Sequence, residues 1–141
     1  MMMSKFKLDG RLAADTWAVA EWPLSSVRLM DHFDYPWFIL VPRRAGIQEL
    51  HHLDAEDAVQ LARESGALAR AMEEAFAPRA LNVAKLGNIV AQLHLHHVAR
   101  FEGDPAWPGP VWGAPKSRGL ETKEAEARIA RVLGLVEDVG S

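Results

Sequence analysis

Gln92-Leu93-His94-Leu95-His96-His97-Val98 is the stretch on which the reading of the fold turns. Polar Gln92, His94 and His96 alternate with Leu93 and Leu95, and a period of two belongs to an extended chain whose successive side chains point to opposite faces. The pattern predicts a strand over residues 89–101, with the three polar positions on one face. Imidazoles at i and i+2 of such a strand lie about 6.5–7 Å apart along the chain, close enough to act on one small group. A neutral imidazole with a pKa near 6.5 is also the side chain best suited to proton transfer or nucleophilic attack near neutral pH.

Working outward, Gly87-Asn88 interrupts the chain just before this strand, and Leu81-Asn82-Val83-Ala84 precedes the break. Further back, Ala58, Leu61, Ala62, Ser65, Leu68, Ala69 and Met72 recur at spacings of three and four, the mark of an amphipathic helix. Asp54 is placed to cap it, and Pro78 to end it, so the helix is expected over residues 54–77. The segment 16–44 is punctuated by Pro23, Pro36 and Pro42 and rich in aromatic and β-branched residues, which suits strands over 17–22, 27–31 and 37–41. Trp37-Phe38-Ile39-Leu40-Val41 is apolar on both faces, as a central strand covered on two sides would be. Downstream, residues 102–113 hold prolines and glycines that deny regular structure, leaving an irregular loop that carries Trp107 and Trp112. A second helical pattern runs from 121 to 136, with Ala125, Ile129, Val132, Leu133 and Val136 on one side.

The fold class expected is therefore α+β: an antiparallel sheet of about five strands, one long helix across a face, and a C-terminal helix. A chain of 141 residues suits one domain over 1–141, with a C-terminal helical extension at about 121–137. Sixteen Lys and Arg against 19 Asp and Glu give a net charge of −3, without the basic stripe that polymeric nucleic acid requires. With no Cys, thiolate nucleophiles, disulfides and iron–sulfur clusters are excluded, and a reducing cytoplasm fits. No apolar segment resembles an export signal or a membrane span, so neither export nor insertion is expected.

The histidine stretch resembles the signature of the histidine triad superfamily, His-φ-His-φ-His-φ-φ with φ apolar. It puts Gln92 on the first His, His94 on the middle one and His96 on the last; His97 stands where an apolar residue is usual. Gly87-Asn88-Ile89-Val90 is similar to the family's Gly-Gln-Ser/Thr-Val, and Asn82 to an Asn in the preceding strand. Arg28-Leu29-Met30-Asp31 and Pro36-Trp37-Phe38-Ile39-Leu40-Val41-Pro42-Arg43-Arg44 resemble the ribose-binding Asp strand and the strand that ends in a Pro-basic-basic turn. The likeness covers about residues 15–113 and extends to a short proteobacterial branch with Gln at the first position and a Gly-Asp-Pro-x-Trp-Pro-Gly-Pro-Val-Trp-Gly tail. Ala45 occupies the place of a further family His, and Ile89 that of a phosphate-binding hydroxyl.

The resemblance implies a nucleotide-binding phosphohydrolase or nucleotidyl transferase, in which His94 attacks the α-phosphate to give a covalent nucleotidyl-histidine. It implies that the backbone carbonyl of Gln92 holds the far nitrogen of His94, so the change of side chain need not abolish attack. His96 would hydrogen-bond the phosphoryl or leaving-group oxygen, with nearby backbone N–H groups meeting the developing charge. Gly87 and Asn88 would contact phosphate, Asp31 the ribose hydroxyls, and Leu29 and Trp37 the base. The partners implied are a purine nucleotide or dinucleoside polyphosphate, an adenosine phosphoramidate being a further substrate, and a second copy of the chain in a homodimer. No cofactor is required, although a divalent cation can accompany the substrate.

Other readings of the same residues stand beside this one. A nucleotide-binding scaffold would keep the pocket without catalysis, as Gln92, Ala45 and Ile89 suggest. His-x-His on a strand also recurs in zinc and iron sites, but needs a third ligand from His32, His51, His52 or an acid. His94 and His96 could also merely face solvent, while His97 reads as a structural histidine against the helix layer or a subunit contact. His51-His52 reads as a polar turn, and the loop tryptophans as packing groups, or as a lid over the site.

Overall fold

The computed structural model describes residues 5–140. A short helix α1 (Gly10–Asp15) leads into strands β1 (Thr16–Glu21), β2 (Ser25–Met30) and β3 (Trp37–Pro42). A 3₁₀ turn (Leu50–His52) and the long helix α2 (Ala55–Phe76) follow, then β4 (Ala80–Lys85), β5 (Leu95–Arg100) and the C-terminal helix α3 (Thr122–Leu133). The five strands form one antiparallel sheet in the order β1-β2-β3-β5-β4.

β3 and β5 are buried at every position, because both faces of the sheet centre are covered. On one face Phe38, Leu40, Leu95 and Ala99 pack with Leu61, Leu68 and Met72 of α2 and with Ala125 and Val132 of α3. On the other, Trp37, Ile39, Val41 and Val98 pack with Leu12 of α1, Tyr35 and Val111. The sheet thus separates a helix layer from a second, thinner layer built by α1 and the loop after β5, and the two histidines of interest face that thinner layer.

Local chemistry sets the element ends. The Asp54 carboxylate accepts from the Asp57 N–H at 2.8 Å and caps α2. At its far end Ala77 turns left-handed at φ 48°, and Pro78 cannot continue the helix. The loop after β5 is irregular, as its prolines and glycines require, and is anchored by Arg100. That buried guanidinium grips the Asp104 carboxylate at 2.8 and 2.9 Å and donates to Asn82 Oδ1 at 2.9 Å. Burial would push the Asp104 carboxyl up, but Arg100 and the Phe101 and Trp107 N–H groups outweigh it and hold it low.

Three elements differ from the sequence expectation. Helix α1 was not expected; six residues are too few to show a helical period. The strand expected over 89–101 begins only at Leu95, because the approach to it leaves the sheet: the Leu93 N–H donates to the Ile47 carbonyl at 3.0 Å instead of to a strand. The last helix stops at Leu133 rather than 136, with Gly134 donating back to Ala130.

Candidate functional site

A cleft of about 500 Å³ lies over the thinner layer. His94 and His96 form part of its floor, both nearly buried, with ring centroids 4.8 Å apart. His94 sits just before β5 in extended chain, so the alternation survives the loss of strand pairing. His97 points to the opposite face. Its Nδ1 donates to the Leu95 carbonyl at 3.2 Å, and Nε2 accepts from the Ser65 hydroxyl of α2 at 2.8 Å.

The partners of the two cleft histidines fix complementary proton positions. His94 Nδ1 lies 2.7 Å from the Gln92 carbonyl oxygen, which can only accept, so Nδ1 carries the proton. In the neutral ring Nε2 then keeps its lone pair. His96 Nδ1 instead accepts from the Trp37 indole N–H at 3.0 Å, so the proton of neutral His96 is on Nε2, as a donor. Burial pushes the His96 pKa down to about 3, helped by repulsion from His94 and His97, and burial pushes His97 down to about 4 against its bond to Leu95. Both rings are therefore neutral at pH 7. The pair offers one nucleophilic nitrogen beside one hydrogen-bond donor.

The Gln92 side chain does separate work. Its Oε1 accepts from the Asp9 N–H at 2.9 Å, and its Nε2 donates to the Lys7 carbonyl at 2.8 Å. Asp9 caps α1, and Arg11, Leu12 and Asp15 of that helix form one wall of the cleft. A residue expected to serve through its backbone thus also ties down the N-terminal segment.

Gly87 and Asn88 lie on the rim. Gly87 is needed there: φ is 87°, and a Cβ would stand 2.8 Å from Lys85 Nζ. Trp37 lines the cleft as well as fixing His96, and Trp112 of the loop packs edge-on against both, at centroid distances of 6.0 and 5.2 Å. Trp107 lies instead 5.7 Å from the Arg100 guanidinium, outside the cleft.

Three residues expected at the site are elsewhere. Leu29 is fully buried in the core on the α2 side. Asp31 shares that face; its Oδ1 accepts from the Trp17 indole at 3.1 Å and the Leu120 N–H at 2.7 Å, and Gly119 sits against it. Asn82 is committed to Arg100. The neighbours that do reach the cleft are Met30 and His32, one residue out of step and therefore on the opposite face from Leu29 and Asp31. Lys116 and Arg11 add two cations to its lining, and sequence reading passed over both. A charge on a short helix or a loop has no period to give it away.

Ile89 is exposed at the rim, so no hydroxyl meets a ligand from that position. His51 and His52 do not line the cleft; His52 Nδ1 accepts from the Gln48 and Glu49 N–H groups in a turn. Among the described residues no three His, Asp or Glu side chains gather as metal ligands. No helix among them is long and apolar enough to cross a membrane.

The model of the HIT domain matches residues 11–103. A comparison with curated protein sequences gives no match. Among solved structures, a histidine triad protein from Marinobacter aquaeolei VT8 is 44% identical over 97% of this chain and 100% of its own, with a TM-score of 0.92. A histidine triad protein from Sinorhizobium meliloti 1021 is 40% identical over 93% and 97%, with a TM-score of 0.91. One from Bradyrhizobium japonicum is 37% identical over 95% and 100%, at 0.92.

Proposed function

The chain belongs to the histidine triad family, and from that premise we propose that it binds a purine nucleotide in the cleft and acts at the α-phosphate as a phosphohydrolase or nucleotidyl transferase. His94 is the nucleophile. The observation that carries this reading is the 2.7 Å bond from His94 Nδ1 to the Gln92 carbonyl, which leaves Nε2 free to attack.

In the first step His94 Nε2 forms a bond to the α-phosphorus as the bond to the leaving group breaks. The leaving group departs with the electron pair and is protonated. The His96 Nε2–H, kept on that nitrogen by Trp37, hydrogen-bonds a phosphoryl or leaving-group oxygen as charge builds there. In the second step water attacks phosphorus and releases a proton to solvent, balancing the one taken up by the leaving group, while the P–N bond breaks and its electron pair returns to Nε2; transfer to another nucleophile differs only in what replaces water. Arg11 and Lys116 favour an anionic phosphate chain, and Gly87 and Asn88 are the rim groups nearest in character to phosphate ligands. Leu12, Met30 and Val111 offer apolar wall to a base.

Replacing His94 with Ala tests the assignment. Hydrolysis of an adenylyl phosphoramidate or a dinucleoside polyphosphate should fall roughly ten-thousand-fold or more, with the melting temperature nearly unchanged. Full activity in the variant contradicts a nucleophilic His94. Nucleotide binding without turnover in the wild-type protein would favour the non-catalytic binder suggested by Gln92, Ala45 and Ile89.

A further inference from the structure

Arg100, the last residue of β5, is almost wholly buried (1% exposed), a state in which arginine is found only when paired, and the proposed chemistry does not use it. Its guanidinium gathers separate parts of the chain. Asp104 of the following loop takes two of its N–H groups and Asn82 of β4 another, while its face lies over the Tyr35 ring at 5.5 Å and the Trp107 ring at 5.7 Å. Stability alone is a poor reason to keep such a pair, since a buried ion pair commonly gains nothing over apolar residues of similar volume. What the bidentate fork does fix is direction: two parallel bonds set the Asp104 carboxylate in one orientation.

That carboxylate also accepts from the Phe101 and Trp107 N–H groups, so it sets the course of the loop. The loop doubles back. His96 and Arg100 share a face of β5 about 13 Å apart, yet Trp112, well beyond Arg100 in sequence, packs on His96. Tight turns closed by the Gly109 N–H on the Ala106 carbonyl at 2.7 Å and the Ala114 N–H on the Val111 carbonyl at 3.1 Å carry the chain there, and Val111 is buried with Trp37 and Val98 beside it. The far end of the loop is fastened separately, by Asp34 to the Ser117 N–H at 3.1 Å and Asp31 to the Leu120 N–H at 2.7 Å. Arg100 therefore governs the part bearing Trp112, not the part bearing Lys116.

Trp112 completes a cluster of three rings that meet edge-on, with Trp37 to His96 at 5.6 Å, Trp37 to Trp112 at 6.0 Å and His96 to Trp112 at 5.2 Å. Two of these rings share the hydrogen bond that puts the His96 proton on Nε2. Water admitted to that bond would compete for the indole N–H and for Nδ1, and the imidazole would exchange tautomers. Resting on the nucleotide reading above, we infer that Arg100 is a positioning residue for the donor at His96, holding the loop after β5 in the course that closes Trp112 over the Trp37–His96 bond.

Joint replacement Arg100→Met and Asp104→Asn in the full chain tests this, because it removes both charges and leaves neither buried alone. The quantities read are the melting temperature, kcat and KM with an adenylyl phosphoramidate, and solvent exchange of the Trp37 indole proton by NMR. The melting temperature should stay close to that of the wild type. The kcat should fall about tenfold with KM changed by less than about threefold, and the indole proton should exchange about tenfold faster while the amides of Ile39 and Leu40 keep their protection. Trp112→Ala should give the same fall in kcat and the same faster indole exchange. Adding it to the Arg100 and Asp104 replacements should cost nothing further, since all act through one contact. An unchanged kcat, an unchanged indole proton, or losses that multiply in the combined variant overturn the inference. If the joint replacement unfolds the chain, Trp107→Leu, which uncovers one face of the guanidinium and keeps its ion pair, carries the same expectations at about threefold. A wild type without turnover would instead remove the proposed chemistry, and the indole proton would then decide alone whether Arg100 holds Trp112 in place.

Discussion

At the scale of single residues, the site shows how two identical side chains acquire opposite roles. His94 and His96 differ only in what touches Nδ1: a carbonyl oxygen in one case, an indole N–H in the other. One ring is left with a lone pair facing the cleft and its neighbour with a proton. The histidines also make stability depend on pH. His96 and His97 have folded pKa values of about 3 and about 4, below an unfolded value near 6.5, so below pH 6.5 the unfolded chain binds more protons. Their contribution is complete above pH 6.5 and is lost as pH falls toward the folded values. Urea unfolding should give a stability about 2–4 kcal/mol lower at pH 5 than at pH 7, and an unchanged value would contradict burial of neutral rings. Period two alone put His94 and His96 together and turned His97 away. The same period, applied to β2, puts Leu29 and Asp31 with the helix layer and Met30 and His32 with the cleft; motif resemblance ran against it, and the structure follows the period.

At the scale of elements, α2, β2 and β3 were legible because each carries its own signal: a capping Asp54, an apolar repeat, a run apolar on both faces. Helix α1 has a capping Asp9 but, at six residues, no apolar repeat to go with it. It is held by Gln92, 83 residues away from Asp9, and a contact that distant leaves no trace in local pattern. The site's dependence on that element can be measured. Gln92→Ala keeps the backbone carbonyl that fixes His94 but frees residues 7–9 and, through them, the wall bearing Arg11 and Leu12. The Michaelis constant should rise about tenfold with a much smaller change in kcat, because substrate binding loses its wall while the nucleophile is kept. A collapse of kcat at constant KM would instead put the Gln92 side chain in the chemistry. The loop after β5 shows the same limit: its irregularity was legible from proline and glycine, but not that Trp112 would go to the cleft and Trp107 to Arg100.

At the scale of the whole molecule, the sheet divides the work. One face is committed to stability, through α2 and α3, and the thinner layer on the other face leaves room for a ligand beside the His94 and His96 imidazoles. That division explains why burial lowers the His96 pKa so far: the ring lies over a sealed core and is roofed by Trp37 and Trp112. It also explains why the order of the elements could be read from sequence while the ligand walls could not. The core repeats with the period of its helices and strands, whereas the walls come from α1, the end of β2 and the segment 111–116, which meet only in three dimensions. The central claim, attack by His94 on phosphorus, has a stereochemical signature independent of how long the intermediate survives. An α-phosphorothioate nucleotide of defined configuration should be hydrolysed in heavy-oxygen water with retention at phosphorus, since two in-line displacements each invert it; inversion would mean direct attack by water and would contradict the account.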